Sequence, residues 1–246
     1  SMDKWFSTQD TISHDDIDWQ TRKNAETFLP GGNLIRQSMG QTDTKATVFD
    51  SQNALHYGES GKYSTMTSLN FHYQRNRKYT DTYTACSDST SLLNELMERS
   101  KEKSENYHLT LTNSSTLKYI TDLLHSDFCM EYDKLHGNTV SLYDLRYEEA
   151  SLSRDFRNKY LASDSRHWDV KEGIAYDWNW PGWSLHPQYQ YEYKYNKTNS
   201  ALYRLDKLEN CDSTHYDLLP SSRAALLKVL DDNNSYYYTE YQNHHR

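Results

Sequence analysis

Eleven histidines in a chain of 246 residues are the first feature that could do chemistry. Imidazole gains and loses a proton near neutral pH, so two of them can act as base and acid in one site. Cleaving RNA without a metal needs little more. A base takes the 2′-hydroxyl proton, an acid protonates the departing 5′-oxygen, and a cation steadies the phosphorane. The products are a 2′,3′-cyclic phosphate and a 5′-hydroxyl. The best local pattern is His108-Leu109-Thr110-Leu111. On a strand, His108 and Thr110 share one face while the two leucines anchor the other. His215 lies in Cys211-Asp212-Ser213-Thr214-His215-Tyr216-Asp217, between an expected helix and Pro220. Functional residues concentrate in such loops. His244-His245 is terminal, where order is usually lost.

The phosphate-holding cation has candidates in residues 61–80. This window contains Lys62, His72, Arg75, Arg77 and Lys78, and no Asp or Glu. Tyr63, Phe71, Tyr73 and Tyr79 are interleaved. Arg75, Arg77 and Lys78 could grip a phosphate while Tyr73 stacks on a base. The same segment also reads as a half-buried strand with a solvated charged end. Three indoles fall within Trp178-Asn179-Trp180-Pro181-Gly182-Trp183. They suit a stacking platform for a base or sugar, or a plug at the end of the core. Glu148-Glu149 and Asp15-Asp16 stand at expected helix starts, where they favour the helix dipole. GxxxxGK, GxGxxG, HExxH, DxDxDG and GxSxG are all missing, which removes the main sequence support for nucleotide-phosphate, hydride-transfer and zinc-protease chemistry. No metal site or cofactor is expected.

These residues must be positioned by a core of unusual composition. Leu, Ile, Val and Phe make up 41 residues, about 17% of the chain, below the usual level for folded proteins. Against disorder stand 22 Tyr and 6 Trp and a net charge of only −8. The core is therefore expected to rest on Leu and on Tyr and Trp rings whose polar atoms need partners.

Helices are expected at Asp15–Leu29, stopped by Pro30-Gly31-Gly32, and at Ser91–Lys103, with Leu92, Leu93, Leu96 and Met97 on one face. Others are expected at Ser115–His125, Glu148–Leu161 and Ser200–Leu208, and from Pro220-Ser221-Ser222 through Leu230 with Ser221 as cap. Strands are expected at Met66–Arg75, Tyr107–Thr112, Thr139–Tyr147, Tyr189–Tyr195 and Tyr236–Tyr241, alternating in the way of antiparallel pairing. The predicted fold is α+β: one globular domain, an antiparallel sheet with about five or six packed helices. No run of 18 apolar residues occurs, so no membrane span is expected. Ser1-Met2 reads as the remnant of a removed fusion tag.

Cys86, Cys129 and Cys211 have no metal-ligand spacing. They read as three idle thiols, or as one bridge plus one cysteine open to a second chain. Sequons at Asn113, Asn196 and Asn233 occur in a chain rich in Ser, Thr and Asn, where chance supplies them.

His108-x-Thr110 resembles one half of the two-histidine phosphoesterase signature. A second His-x-Thr/Ser is absent, since Gln74 follows His72 at that spacing and Asp217 follows His215. In organisation the chain also resembles the anticodon-nuclease ribotoxins of yeast killer plasmids, the zymocin gamma subunit and Pichia acaciae toxin type. It shares their size, their polar Tyr/Asn/Ser/Thr composition, an odd cysteine count ending in Cys211, a late histidine at His215 and early acids at Asp10 and Glu26. That resemblance implies metal-independent cleavage of tRNA in the anticodon loop, with His215 or His108 and Glu26 as acid–base groups. It also implies a secreted subunit that acts in a target-cell cytoplasm, a carrier chain disulfide-linked through Cys211, and an immunity protein. Otherwise a cytoplasmic location is expected. Two rival readings remain. The chain could be a non-catalytic acidic immunity or binding protein for a toxin partner, or a glycan- or ligand-binding domain using the Trp178–Trp183 loop.

Overall fold

Alternation of polar and apolar residues dominates the architecture. The structure, a computed structural model, describes residues 2–246 except 30, 31, 89, 121 and 210, and except the side chain of Leu29. Among the described residues nine strands form one antiparallel sheet: β1 (Met2–Leu29), β2 (Gly32–Glu59), β3 (Tyr63–Ser87), β4 (Leu92–Tyr119), β5 (Asp122–Tyr147), β6 (Asp155–Trp180), β7 (Trp183–Leu185), β8 (Gln188–Arg204) and β9 (Tyr236–His245). The order is β1-β2-β3-β4-β5-β6-β8-β9, with β7 on β6, so the chain runs up and down as a meander. Successive hairpins need only short turns in this arrangement.

The expected α+β class is therefore corrected to an essentially all-β fold, in which the described residues form one α-helix, α1 (Arg223–Leu227). All five expected strands lie inside observed ones. The helices fail for identifiable reasons. Asp15–Leu29 is the far half of β1. Its expected stop at Pro30-Gly31 lies outside the described residues. Ser91–Lys103 belongs to β4, whose apolar neighbours separate onto opposite faces: Leu96 pairs with Thr84 and Leu145, and Met97 with Tyr83 and Asp144. An i, i+1, i+4, i+5 pattern fits one face of a helix, but it fits a strand with apolar residues on both faces equally well. Ser115–His125 is a hairpin in which Leu117 pairs with Leu124. Seven residues are two helical turns, and they are also two positions mirrored across a tight turn. In Glu148–Leu161 the strand begins only at Asp155. Ser200–Leu208 continues β8 to Arg204 and closes in a 3-10 turn at Leu205–Lys207. Only the last helix survives, shortened and capped by Ser222 rather than Ser221. The Ser222 Oγ accepts from the Ala225 N–H at 3.2 Å.

The sheet has two unlike faces. One carries His72, Asn70 and Gln74 on β3, with His108, Thr110 and Asn106 opposite them on β4. The other carries Phe71 against Leu109 and Tyr73 against Tyr107. On that aromatic face, at the end where β3 passes to β4, the segment between β8 and β9 folds back and makes the buried core. Val140, Leu142, Leu205 and Tyr216 form its centre, with Met97, Phe156, Tyr160, Tyr203, Leu208, Cys211 and Leu226 packed around them.

Charges clamp this segment in place. Lys101 pairs with Asp217, and Arg146 Nη2 donates to Ser213 Oγ at 3.1 Å. Asp144, fully buried, accepts from Arg154 at 2.6 and 2.7 Å and from Arg146 at 2.7 and 3.1 Å. Burial alone would push the Asp144 carboxyl up. Hydrogen bonds from Arg154 and Arg146 more than reverse this and hold it below the usual carboxylate range. A depressed folded-state pKa contributes stability above the ordinary carboxylate value, and that stability is lost as pH falls through the lower folded value. Acid unfolding followed by circular dichroism is expected to shift to higher pH and become less steep in Asp144→Asn.

Tyr216 is buried, and its hydroxyl has no hydrogen-bond partner among the described residues. Burial, with smaller contributions from Tyr79 and Asp217, pushes the phenol up to about 12. Removing an unpartnered buried hydroxyl leaves no donor or acceptor stranded. Tyr216→Phe is therefore expected to keep or slightly raise the urea midpoint. A clear fall would mean that the hydroxyl has a partner.

Candidate active site on the polar face

The register of the meander assembles a row that crosses the whole sheet. Thr11, Asp50, His72, His108, Asp133, His167, Asn196 and Glu240 follow one another on successive strands. Directly paired residues project to the same face, with Cβ atoms about 5 Å apart. His72 and His108 thus stand side by side, each backed by its own carboxylate. His72 Nδ1 is 2.5 Å from Asp50 Oδ1, and His108 Nδ1 is 2.6 Å from Asp133 Oδ1. A third imidazole repeats the arrangement, with His167 Nδ1 2.5 Å from Asn196 Oδ1.

A carboxylate only accepts hydrogen bonds, so Nδ1 of His72 and His108 carries the hydrogen and Nε2 is the second ring nitrogen of each. The two Nε2 atoms differ. His108 Nε2 lies 2.9 Å from Thr110 Oγ1, whereas no hydrogen bond is seen to His72 Nε2 among the described residues. The two imidazole–carboxylate pairs are all partly exposed, with side chains 35–44% accessible. The face is concave nearby. A hollow of about 760 Å³ is lined from Met66 and Ser68 on β3, through Thr112 and Cys129, to Gln190 on β8. It begins four residues along the strands from the histidine row, roughly 13 Å away.

The structure joins His108 to partners the sequence did not suggest, and separates it from those it did. Tyr73, Arg75 and Arg77 alternate with His72 and so project from the opposite face. Tyr73 packs on Tyr107 at 4.9 Å between centroids, and Arg75 Nε pairs with Glu105 at 3.5 Å. Arg77 is in register with Lys45 and Lys103. Lys78 does share the histidine face, six residues along β3, or roughly 20 Å.

His215 sits by the clamp segment at the far end, its Nδ1 3.0 Å from Asp212 Oδ1. Glu26 lies in β1 fifteen residues beyond Thr11, roughly 50 Å along the strand, and accepts from Asn33 at 2.9 Å. His108, His215 and Glu26 therefore occupy three separate places. The sequence marks His72 only within the basic window and singles out none of Asp50, Asp133 and His167. Only the alternation around His72 was visible beforehand, because register depends on pairing.

Comparison with known proteins adds no family. No family model and no curated protein matches the chain. Among solved structures it is similar, at 10% identity and a TM-score of 0.12, to the translocator domain of autotransporter NalP from Neisseria meningitidis, over 79% of this chain and 81% of that one. It is also similar, at 6% identity and a TM-score of 0.10, to the Cry23Aa1 and Cry37Aa1 binary protein complex, over 76% and 88%. Scores this low mark no common fold.

Two further expectations concern the cysteines and the indoles. All three thiols are free, and Cys211 is part of the core. Its Sγ accepts from Asn158 Nδ2 at 2.9 Å, and burial pushes the thiol up, which makes it a poor partner for a mixed disulfide with a carrier. The Trp178–Trp183 segment does not plug the core. It forms the β6–β7 hairpin tip, with Trp180 paired to Trp183 and both indoles about half exposed. No helix of the described residues is long and apolar enough to cross a membrane.

Proposed function

We propose that the polar face cleaves RNA by metal-independent transesterification, with His72 and His108 as the acid–base pair. The observation that carries this reading is the adjacency of two imidazoles in register, each oriented through Nδ1 by its own carboxylate. Orientation of a histidine by a carboxylate fixes which nitrogen meets the substrate and stabilises the imidazolium once formed.

The asymmetry at Nε2 favours one allocation of the two roles. His72 Nε2 takes the 2′-hydroxyl proton. The freed oxygen attacks phosphorus, and His108, protonated and leaning on Thr110, delivers its Nε2 proton to the departing 5′-oxygen. One proton is taken and one is returned, leaving a 2′,3′-cyclic phosphate and a 5′-hydroxyl. With Arg75 and Arg77 on the other face, the charge on phosphorus is met by the imidazolium itself. The side-chain amides of Asn70 and Asn106, two positions along from the pair on the same face, can donate as well.

Toxin status, tRNA as the substrate and an immunity partner extend the same reading and rest only on the resemblance. Incubation with total tRNA in EDTA tests the core of it. Fragments bearing 5′-hydroxyl and cyclic phosphate ends are expected, and RNA that stays intact across pH 5–8 refutes it.

A further inference from the structure

At the sheet end that carries the β2–β3, β4–β5 and β6–β7 turns, Ser60-Gly61 and Pro181-Gly182 are ordinary turn residues, but large apolar side chains crowd the β4–β5 and β6–β7 tips. Tight turns favour Gly, Asn, Asp and Ser. Here the β4–β5 tip presents Tyr119, 70% exposed, and Ile120, 77% exposed. Ile120 has a φ of +59°, a left-handed conformation that a β-branched residue adopts only at a cost. The neighbouring β6–β7 tip presents Trp180, 52% exposed, and Trp183, 48% exposed, with Leu185 beside them.

The tips are held together rather than loose. Asp122 accepts from the Tyr176 hydroxyl at 3.0 Å and from the Asn179 N–H at 3.2 Å, tying the base of one tip to the other. The Lys118 N–H donates to the Lys62 carbonyl at 2.6 Å, joining the β2–β3 turn to the same group.

The geometry points to these two tips as a docking site for the interfacial region of a lipid bilayer. The inference stands apart from the histidine row and does not need it. Indole and phenol side chains have an apolar body and a polar edge, and they settle at the depth of the headgroups. Ile120 and Leu185 add apolar bulk that a protruding turn has no reason to show to water.

Ring geometry favours a bilayer over a sugar. Trp180 and Trp183 meet nearly at right angles at 4.2 Å and 83°, as do Tyr176 and Trp178 at 5.4 Å and 84°, while Trp178 and Trp180 lie nearly parallel at 6.1 Å and 29°. The tip is thus a cluster of half-exposed rings in several planes, which insertion among headgroups accommodates. The charges nearby are mixed, Lys62 and Lys118 with Glu59 and Asp122, so insertion of apolar groups rather than attraction to anionic lipid should dominate.

The test is flotation of the whole chain with phosphatidylcholine vesicles, and with vesicles that also contain phosphatidylserine. Tryptophan quenching by brominated phosphatidylcholine is read in parallel. The protein is expected to float with both vesicles, with little salt dependence, and its fluorescence to be quenched. Trp180→Ser with Trp183→Ser should lower the partition coefficient by about tenfold to a hundredfold, and Ile120→Asn by about tenfold. Trp19→Ser, at the other end of the sheet, should change nothing, with circular dichroism reporting the fold of each variant. Failure of the wild-type chain to float, equal flotation of the tip variants, or binding to a glycan that the tip variants lose would each overturn the proposal.

Discussion

His108→Ala is expected to lower the rate of RNA cleavage by about 10²- to 10⁴-fold, the usual contribution of a positioned acid or base. His72→Ala should fall by a similar factor. The double variant should be little worse than either single one, since residues that act as a unit are not additive. Asp133→Asn should lose less. His108 then keeps its ring and place but loses the carboxylate that orients it, so kcat should fall while substrate affinity holds. Arg75→Ala and Arg77→Ala separate this arrangement from the one the sequence suggests. Their side chains leave the opposite face of the sheet, so both variants should cleave at the wild-type rate. A large loss in either would mean that the substrate sits on the aromatic face and that the histidine pair is a structural ladder. Cleavage is measured as initial rates on one tRNA, resolved on denaturing gels.

How much of this was legible beforehand follows from what alternation can and cannot encode. Tyr189–Tyr195 and Met66–Arg75 show a period of two so plainly that their strands and faces could be read directly. The pairing of His72 with His108 could not be. It depends on the length of the β3–β4 connection and a register shift at Cys86/Ser87, and a one-residue slip would send every side chain to the other face. His108-Leu109-Thr110 pointed to one useful histidine, but its partner and both carboxylates lie 36, 58 and 25 residues away in sequence. The helices were misread because Leu-rich segments such as Leu92–Met97 and Leu117–Leu124 meet helical spacing by accident. In this fold Met97 packs on the clamped face of β4, while Leu96 beside it projects from the other face. Elsewhere the aromatic face is half exposed, which is why so few aliphatic residues suffice.

Leu205→Ala is expected to destabilise the protein by about 2–5 kcal/mol, the range for emptying a well-packed leucine site. Leu205 is 1% exposed and joins Val140 and Leu142 of β5 to Tyr216. The effect should be large relative to the whole, because domains of this kind are stable by only about 5–15 kcal/mol and this cluster is the buried hydrophobic core among the described residues. A second consequence separates a local cavity from loss of the clamp. If the segment between β8 and β9 detaches, Cys211 becomes reactive to thiol reagents, and the Lys101–Asp217 ion pair and the Arg146–Ser213 hydrogen bond open together. Leu205→Ala should therefore raise Cys211 labelling well below the global unfolding midpoint, while Ile12→Ala, 74% exposed on β1, should alter neither labelling nor midpoint. Urea unfolding followed by tryptophan fluorescence gives the stability difference. A loss under about 1 kcal/mol for Leu205→Ala would show that the sheet stands without its clamp, held by cross-strand pairs alone.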